Sequence, residues 1–225
     1  MTKPLMIFAA GLGTRMRPLT DLKPKPLIEV AGIALLDRAL MLGHDAGAQP
    51  IVVNTHYLGA QIQTHLDGQD IAISDEAGEL LDTGGGLRKA LPLLGDGPVM
   101  TLNPDVVWTG ANPLAGLIAA WDGDRMDALL AVVPLDRATA RKGGGDFSVD
   151  AAGRISRQGD FVYAGAQIIR PDRLSDIPGR AFSLNRLWDL MIAEGRAHAM
   201  IHTGGWCDVG SPDAIPLAEA MLLHG

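Results

Sequence analysis

Short apolar runs alternate with helical periodicities over the first 135 residues. The runs "LMIFAA" (5–10), "PIVVNTHY" (50–57), "DIAISDE" (70–76), "PVMTLNPDVVW" (98–108) and "DALLAVVPL" (127–135) read as buried strands. Between them, "ALLDRALMLGHDAG" (34–47), "LGAQIQTHL" (58–66) and "PLAGLIAAWDG" (113–123) read as helices, and "TGGGLRKALPLLG" (83–95) as a glycine turn entering a helix. Strand and helix in regular alternation predict an α/β fold with a mostly parallel sheet covered on both faces.

The pattern changes after residue 135. "FSVDAAGRISRQ" (147–158) predicts a hairpin turning near Ala152 and Gly153, and "FVYAGAQIIRP" (161–171) another strand. "SLNRLWDLMIAEG" (183–195) reads as a helix and "AHAMIHTGG" (197–205) as a strand. "SPDAIPLAEAMLLH" (211–224) reads as a final helix opened by a serine cap and a proline. The hairpin region is expected as a small antiparallel extension at one end of the sheet. No repeat or linker divides the 225 residues, so one domain is expected. "KGGGD" (142–146) is expected as a mobile or ligand-contacting loop.

Composition narrows the chemistry. The net charge is −7 and the pI about 5.2, so no broad nucleic-acid surface is expected. A phosphate ligand must be held by a local cluster of cations. One cysteine, Cys207, excludes an intramolecular disulfide framework and a four-cysteine zinc site. No run approaches the length of a membrane span, and the N-terminus lacks the pattern of a signal peptide, so a cytoplasmic protein is expected.

Such a cluster follows the first strand. Gly11 and Gly13 lead into Arg15, Arg17, Lys23 and Lys25, with Asp21 the only acid among them. A Walker A loop fails for want of a lysine–hydroxyl pair, and the dinucleotide fingerprint fails at Met16, where a small residue is needed. Pro18, Pro24 and Pro26 forbid the helix that either motif requires next. What remains is an irregular cationic segment able to wrap a triphosphate with glycine N–H groups and basic side chains. The alternative is a polar surface loop, against which the density of glycine, arginine and Lys-Pro elements argues.

The stretch "AAGLGTRMRPLTDLKPKPLIEVAG" (9–32) resembles the signature of the nucleotidyltransferases that make nucleotide-activated sugars, and the similarity extends over about residues 5 to 217. The resemblance implies a single Rossmann-like three-layer domain of the nucleotide-diphospho-sugar transferase type, spanning 1–225. About 1–135 would bind the nucleotide and about 136–225 the sugar phosphate. The compact length and "DTGGGLRKALPLLG" (82–95) look most like the N-acetylmuramate-1-phosphate uridylyltransferases of peptidoglycan recycling. The implied substrates are a nucleoside triphosphate, UTP foremost, and a sugar 1-phosphate, with Mg²⁺ as cofactor. A monomer or small homo-oligomer is expected. Mannose-1-phosphate guanylyl, glucose-1-phosphate uridylyl or thymidylyl and phosphocholine-type cytidylyl transfer stay open as alternatives, as does a non-catalytic nucleotide-binding homologue. The signature does not report base or sugar.

Joining the two substrates is an in-line displacement at the α-phosphorus. The attacking phosphate is already ionised, so no general base is needed; positioning and cations must overcome the repulsion between anions. Asp105, at the end of an apolar run, and Asp208, in "GGWCDVGSP", match the family's two metal-binding aspartates. Without the resemblance each reads equally as a turn or helix cap. By the same resemblance Lys25 would neutralise phosphate charge, and Arg15 would hold the triphosphate with the N–H groups of Gly13 and Thr14. Ala10 and Gly11 would lie against the nucleoside, and Asn103 would face ribose or base. Thr83, Gly84 and Gly85 would form the base-side turn, and Gly145 and Gly165 would meet the sugar phosphate. One departure is Pro104, where the family writes glycine. Cys207, the six histidines and the four tryptophans read as structural, and Arg88 and Lys89 as a solvated helix face, with Arg88 leaning toward phosphate.

Overall fold

The structure is a computed structural model that describes residues 3–224. Strand β1 (Leu5–Ile7) enters a loop of three single 3₁₀ turns, Thr14–Met16, Leu19–Asp21 and Lys25–Leu27, the irregular backbone that the prolines dictate. A short hairpin, β2 (Glu29–Val30) and β3 (Ile33–Ala34), leads into helix α1 (Leu35–Asp45). Alternation follows with β4 (Ile51–Thr55), α2 (Gly59–His65), β5 (Ala72–Asp75) and α3 (Asp82–Leu94). The run 98–108, read as one strand, is two: β6 (Val99–Leu102) and β7 (Val106–Trp108). Asn103-Pro104-Asp105 separates them, because proline cannot donate to a ladder.

Helix α4 (Pro113–Ala120) is capped by the Asn112 side chain and precedes β8 (Ala128–Pro134). A two-residue strand β9 (Ala138–Thr139) comes next, then the expected hairpin of β10 (Phe147–Val149) and β11 (Ile155–Arg157). Strand β12 (Phe161–Ile169), α5 (Asn185–Ala193), β13 (Ala197–Ile201), β14 (Trp206–Asp208) and α6 (Ala214–His224) complete the chain.

Among the described residues the main sheet has nine strands. From one edge, β5, β4, β1 and β6 run parallel, β12 runs against both β6 and β8, and β13 lies parallel to β8. The β10–β11 hairpin extends β12. Side chains alternate in β1 as a pleated strand requires. Leu5 and Ile7 face a cluster with Leu36 and Leu40 of α1 and Leu114 and Leu117 of α4. Met6 faces Leu87 of α3 and Leu187 and Met191 of α5. Both faces are thus buried, which is why these strands are apolar throughout, and the layers are α/β/α as expected.

A third cluster positions the site. Met16 is fully buried against Val107 of β7 and Cys207 and Val209 beside β14, with Ile28 and Leu35. The residue that broke the dinucleotide pattern therefore anchors the glycine loop onto β7, which Asp105 immediately precedes, and β14, which ends on Asp208.

Candidate active site

β7 and β14 pair antiparallel with Asp208 opposite Val106, and the Val209 N–H donates to the Asp105 carbonyl at 2.9 Å. This ladder sets side by side two carboxylates that are distant in sequence. The Asp208 carboxyl is held above the usual carboxylate range, first by burial and then by the charge of Asp105, against the opposing pull of Lys25, Arg15 and Arg141. Lys25 Nζ donates to Asp105 Oδ2 at 2.6 Å. Gly210 lets these groups converge: a Cβ there would stand 2.9 Å from Arg15 Nη1 and 3.0 Å from Asp208 Oδ1.

Two compartments meet at this point. One, of about 400 Å³, has Ala10 and Gly11 on its wall with Lys25, Pro104, Asn54 and Glu76. The other, of about 340 Å³, presents Arg15, Arg141 and Arg157 with Asp208, over Tyr163 and Trp188. Phe8, Asp82, Thr83, Asn103 and Asp105 belong to both.

The walls are held by hydrogen bonds between buried groups. Ala9 N–H donates to Asn54 Oδ1 at 2.7 Å, Asn54 Nδ2 to Glu76 Oε1 at 2.7 Å, and Leu81 N–H to Glu76 Oε2 at 3.1 Å. Asp82 stands in the left-handed region (φ 59°), and its Oδ1 accepts the Thr83 N–H at 2.6 Å. In the second compartment, Asp146 ties Arg141 at 2.8 Å and accepts the Tyr163 N–H at 2.9 Å. Arg157 is paired with Asp189 and lies over the Phe147 and Trp188 rings. Trp188 Nε1 donates to the fully buried Gln167, which bonds Thr101 in turn.

The residues expected from the sequence fall into two groups. Ala10, Gly11, Arg15, Lys25, Thr83, Asn103, Asp105, Gly165 and Asp208 line the cleft. Gly165 is left-handed (φ 92°) in the irregular stretch of β12, where its carbonyl accepts the Asn103 N–H at 2.7 Å. Gly13 and Thr14 line neither compartment, and Thr20 Oγ1 donates to the Gly13 carbonyl at 2.9 Å.

Gly84 and Gly85 are not a turn. They lie within α3, and their N–H groups donate to the Phe182 carbonyl. A Cβ on Gly84 would strike the Phe182 ring and one on Gly85 the Arg180 carbonyl, so these glycines admit the 180–182 segment and line neither compartment. Gly145 is likewise packed on the Gly159 carbonyl. Arg88 does not form a solvated face with Lys89: its guanidinium bonds the carbonyls of Leu174, Ile177, Gly179 and Arg180. Lys89 bonds the Asp75 carbonyl.

Arg141, Asp146, Arg157 and Gln167 were missed. They come from the hairpin region and β12, and only the glycines of "KGGGD" hinted at them. Trp188 is both core, as expected, and compartment wall. Cys207 is buried, its thiol pushed up to about 11 by burial and then by Asp208, which removes it as a nucleophile.

Among the described residues no group of three or more His, Cys, Asp and Glu forms a self-sufficient metal cage, and no helix is long and apolar enough to cross a membrane. Two adjacent carboxylates suit a hard divalent cation that takes its remaining ligands from phosphate and water.

Fold and cleft together are those of a nucleotidyltransferase. The chain belongs to the MobA-like NTP transferase domain family, whose model matches residues 5–165. It is 40% identical to the N-acetylmuramate alpha-1-phosphate uridylyltransferase of Caulobacter vibrioides, over 98% of this chain and 97% of that one. Identity to the protein of the same name from Neisseria meningitidis is 37%, with the same coverage. The crystal structure of HddC from Yersinia pseudotuberculosis complexed with GMP-PN superposes with a TM-score of 0.77 over 98% of this chain and 100% of that one. At 21% identity that likeness is one of fold.

Proposed function

We propose that this enzyme transfers a uridylyl group from UTP to N-acetylmuramic acid 1-phosphate, giving the nucleotide sugar and pyrophosphate, a reaction that serves peptidoglycan recycling. The observation that carries the reading is the meeting of two unlike compartments at Asp105, with Asp208 beside it on the wall of the arginine-lined one. The Ala10–Gly11 wall suits a nucleoside, since Gly11 has no heavy atom within 4 Å of where a Cβ would stand and leaves the backbone open to a ligand. The second compartment presents three arginines, Arg157 among them over the Phe147 and Trp188 rings, and suits a sugar that carries both a phosphate and a carboxylate. The full-length similarity to two N-acetylmuramate alpha-1-phosphate uridylyltransferases supports this substrate pair.

Asp105 and Asp208 would hold Mg²⁺, which supplies charge neutralisation at the α-phosphate when bound. Lys25 and Arg15 draw charge off the phosphates as the bond from the α-phosphorus to the leaving oxygen breaks and the sugar phosphate oxygen bonds in its place. The electron pair leaves with pyrophosphate, and no proton need be moved. Thr83 and Asn103, common to both compartments, orient the substrates toward each other.

The test is a matrix of four nucleoside triphosphates against N-acetylmuramic acid, N-acetylglucosamine, glucose and mannose 1-phosphates, followed by pyrophosphate release with magnesium. UTP with N-acetylmuramic acid 1-phosphate is expected to give the highest kcat/KM. A preference for GTP would remove the uridylyl assignment, and a preference for a neutral sugar would remove the acidic one.

A further inference from the structure

Three carboxylates line the Ala10–Gly11 compartment: Glu76, Asp82 and Asp105. Two of them are committed. Glu76 is buried, with one oxygen held by the Asn54 amide and the other by the Leu81 N–H. Asp105 carries the Lys25 ammonium. Asp82 is exposed, and among the described residues no lysine, arginine or histidine lies within ion-pair distance of it. Its Oδ1 accepts the Thr83 N–H, and among the described residues no donor reaches its Oδ2. The backbone adds a second sign. At φ 59° Asp82 occupies the left-handed region, which glycine enters freely and a residue with a Cβ enters at a cost. Residues held there gather at active sites and ligand clamps. Asp82 also lines the arginine-lined compartment, so its carboxylate stands on the seam between the two.

We infer that Asp82 is a specificity-determining residue that accepts hydrogen bonds from the ribose hydroxyls of the nucleoside triphosphate, which rests on the nucleotidyl-transfer reading. Ribose joins the base to the α-phosphate. With the base against the Ala10–Gly11 wall and the reacting phosphorus at Asp105, ribose is the part of the donor that comes to the shared residues. The acceptor brings its phosphate to Asp105, and its sugar lies farther into the arginine-lined compartment. A carboxylate on the seam repels phosphate and the acceptor's own carboxylate alike. It is an acceptor only, and the ribose diol offers it two O–H donors. A hydrogen bond to an ionised acceptor is of the stronger kind. A site that holds a hydroxyl in this way disfavours the analogue that lacks it. Asp82 thereby makes the enzyme prefer ribonucleotides, and a deoxynucleotide is the poorer donor.

The experiment compares UTP, 2′-deoxy-UTP and 3′-deoxy-UTP as donors for the full chain and its Asp82→Gly and Asp82→Asn variants. Pyrophosphate release with N-acetylmuramic acid 1-phosphate gives kcat/KM, and calorimetric titration of the magnesium nucleotides without acceptor gives the binding ratio. Glycine suits the left-handed backbone, and asparagine keeps an oxygen for the Thr83 N–H, so both variants retain the local fold. The wild type should prefer UTP to at least one deoxynucleotide by about tenfold or more. Asp82→Gly should lose that preference by lowering kcat/KM for UTP, with the deoxynucleotide within about twofold of its wild-type value. Asp82→Asn should fall between the two, and the KM for sugar 1-phosphate should stay within about twofold throughout. An Asp82→Gly variant that keeps both wild-type ratios, or a wild type without any preference, overturns the inference and leaves nucleotidyl transfer intact. A raised KM for sugar 1-phosphate with unchanged ratios gives Asp82 to the acceptor and overturns it as well. A wild type that neither binds nor turns over any nucleoside triphosphate overturns both readings.

Discussion

Lys25 Nζ and Asp105 Oδ2, eighty residues apart in the chain, lie 2.6 Å from each other and join the cationic loop to the strand end that bears the carboxylate. The pair is partly shielded, with Lys25 the more buried partner. One Asp105 oxygen is thus occupied by the ammonium, so the lysine orients the aspartate, and on the proposed reaction it also meets phosphate charge. Lys25→Ala should therefore lower kcat by about 10²–10³ with a smaller change in KM, because the charge counts most in the transition state. Steady-state pyrophosphate release checks this.

Asp208 stores a cost in the folded protein. Burial and the neighbouring Asp105 raise its carboxyl above the ordinary value, so its ionised form destabilises the fold. That cost is fully present above the raised folded-state pKa and fades as the pH falls toward the unfolded-state value. Asp208→Asn is expected to raise the Tm of the protein in chelator at pH 7.5 by a few degrees, with the advantage shrinking by pH 4.5. The same variant should lose turnover. Thermal melts at the two pH values provide the check.

Gly210 and Gly11 separate two uses of glycine. A Cβ at 210 meets Arg15 and Asp208, whereas one at 11 meets nothing in the protein. Gly210→Ala should displace the Arg15 and Asp208 side chains and cut kcat by about tenfold to a hundredfold. Gly11→Ala should leave the Tm unchanged and raise the KM for nucleoside triphosphate. Melting curves beside substrate-dependence curves distinguish the two.

Arg88 supports the cleft from outside. Its guanidinium gathers carbonyls from Leu174 to Arg180, the segment that leads to Phe182 on α3. Arg88→Ala should destabilise the protein by about 2 kcal/mol, since the partly buried carbonyls of Leu174 and Ile177 lose a charged donor. Urea unfolding measures it.

The layered architecture was legible because strands buried on both faces are apolar along their length and their helices are amphipathic. The break within 98–108 was not, since Val106–Trp108 continues the apolar run; Pro104 was the mark that should have divided it. The resemblance predicted that Arg15 and Lys25 of the loop would gather with Asp105 and Asp208, and all four line the cleft. Gly84 and Gly85 were misread because glycine that admits another segment to a helix looks, in sequence, like glycine at a turn. Arg141 and Arg157 carry no local pattern: Arg157 is tied to Asp189 of α5, and the Asp146 that holds Arg141 is itself fixed by the Tyr163 N–H of β12, contacts between segments well apart in sequence.

The central claim is that nucleotidyl transfer takes place where Asp105 and Asp208 meet. The direct measurement is pyrophosphate release from UTP and N-acetylmuramic acid 1-phosphate by wild-type and Asp105→Asn protein, with magnesium and with excess chelator. Release by the wild type should require both substrates and magnesium, and Asp105→Asn should lose about 10³-fold or more in kcat. Release that persists in chelator, or an Asp105→Asn variant that turns over at the wild-type rate, contradicts the account.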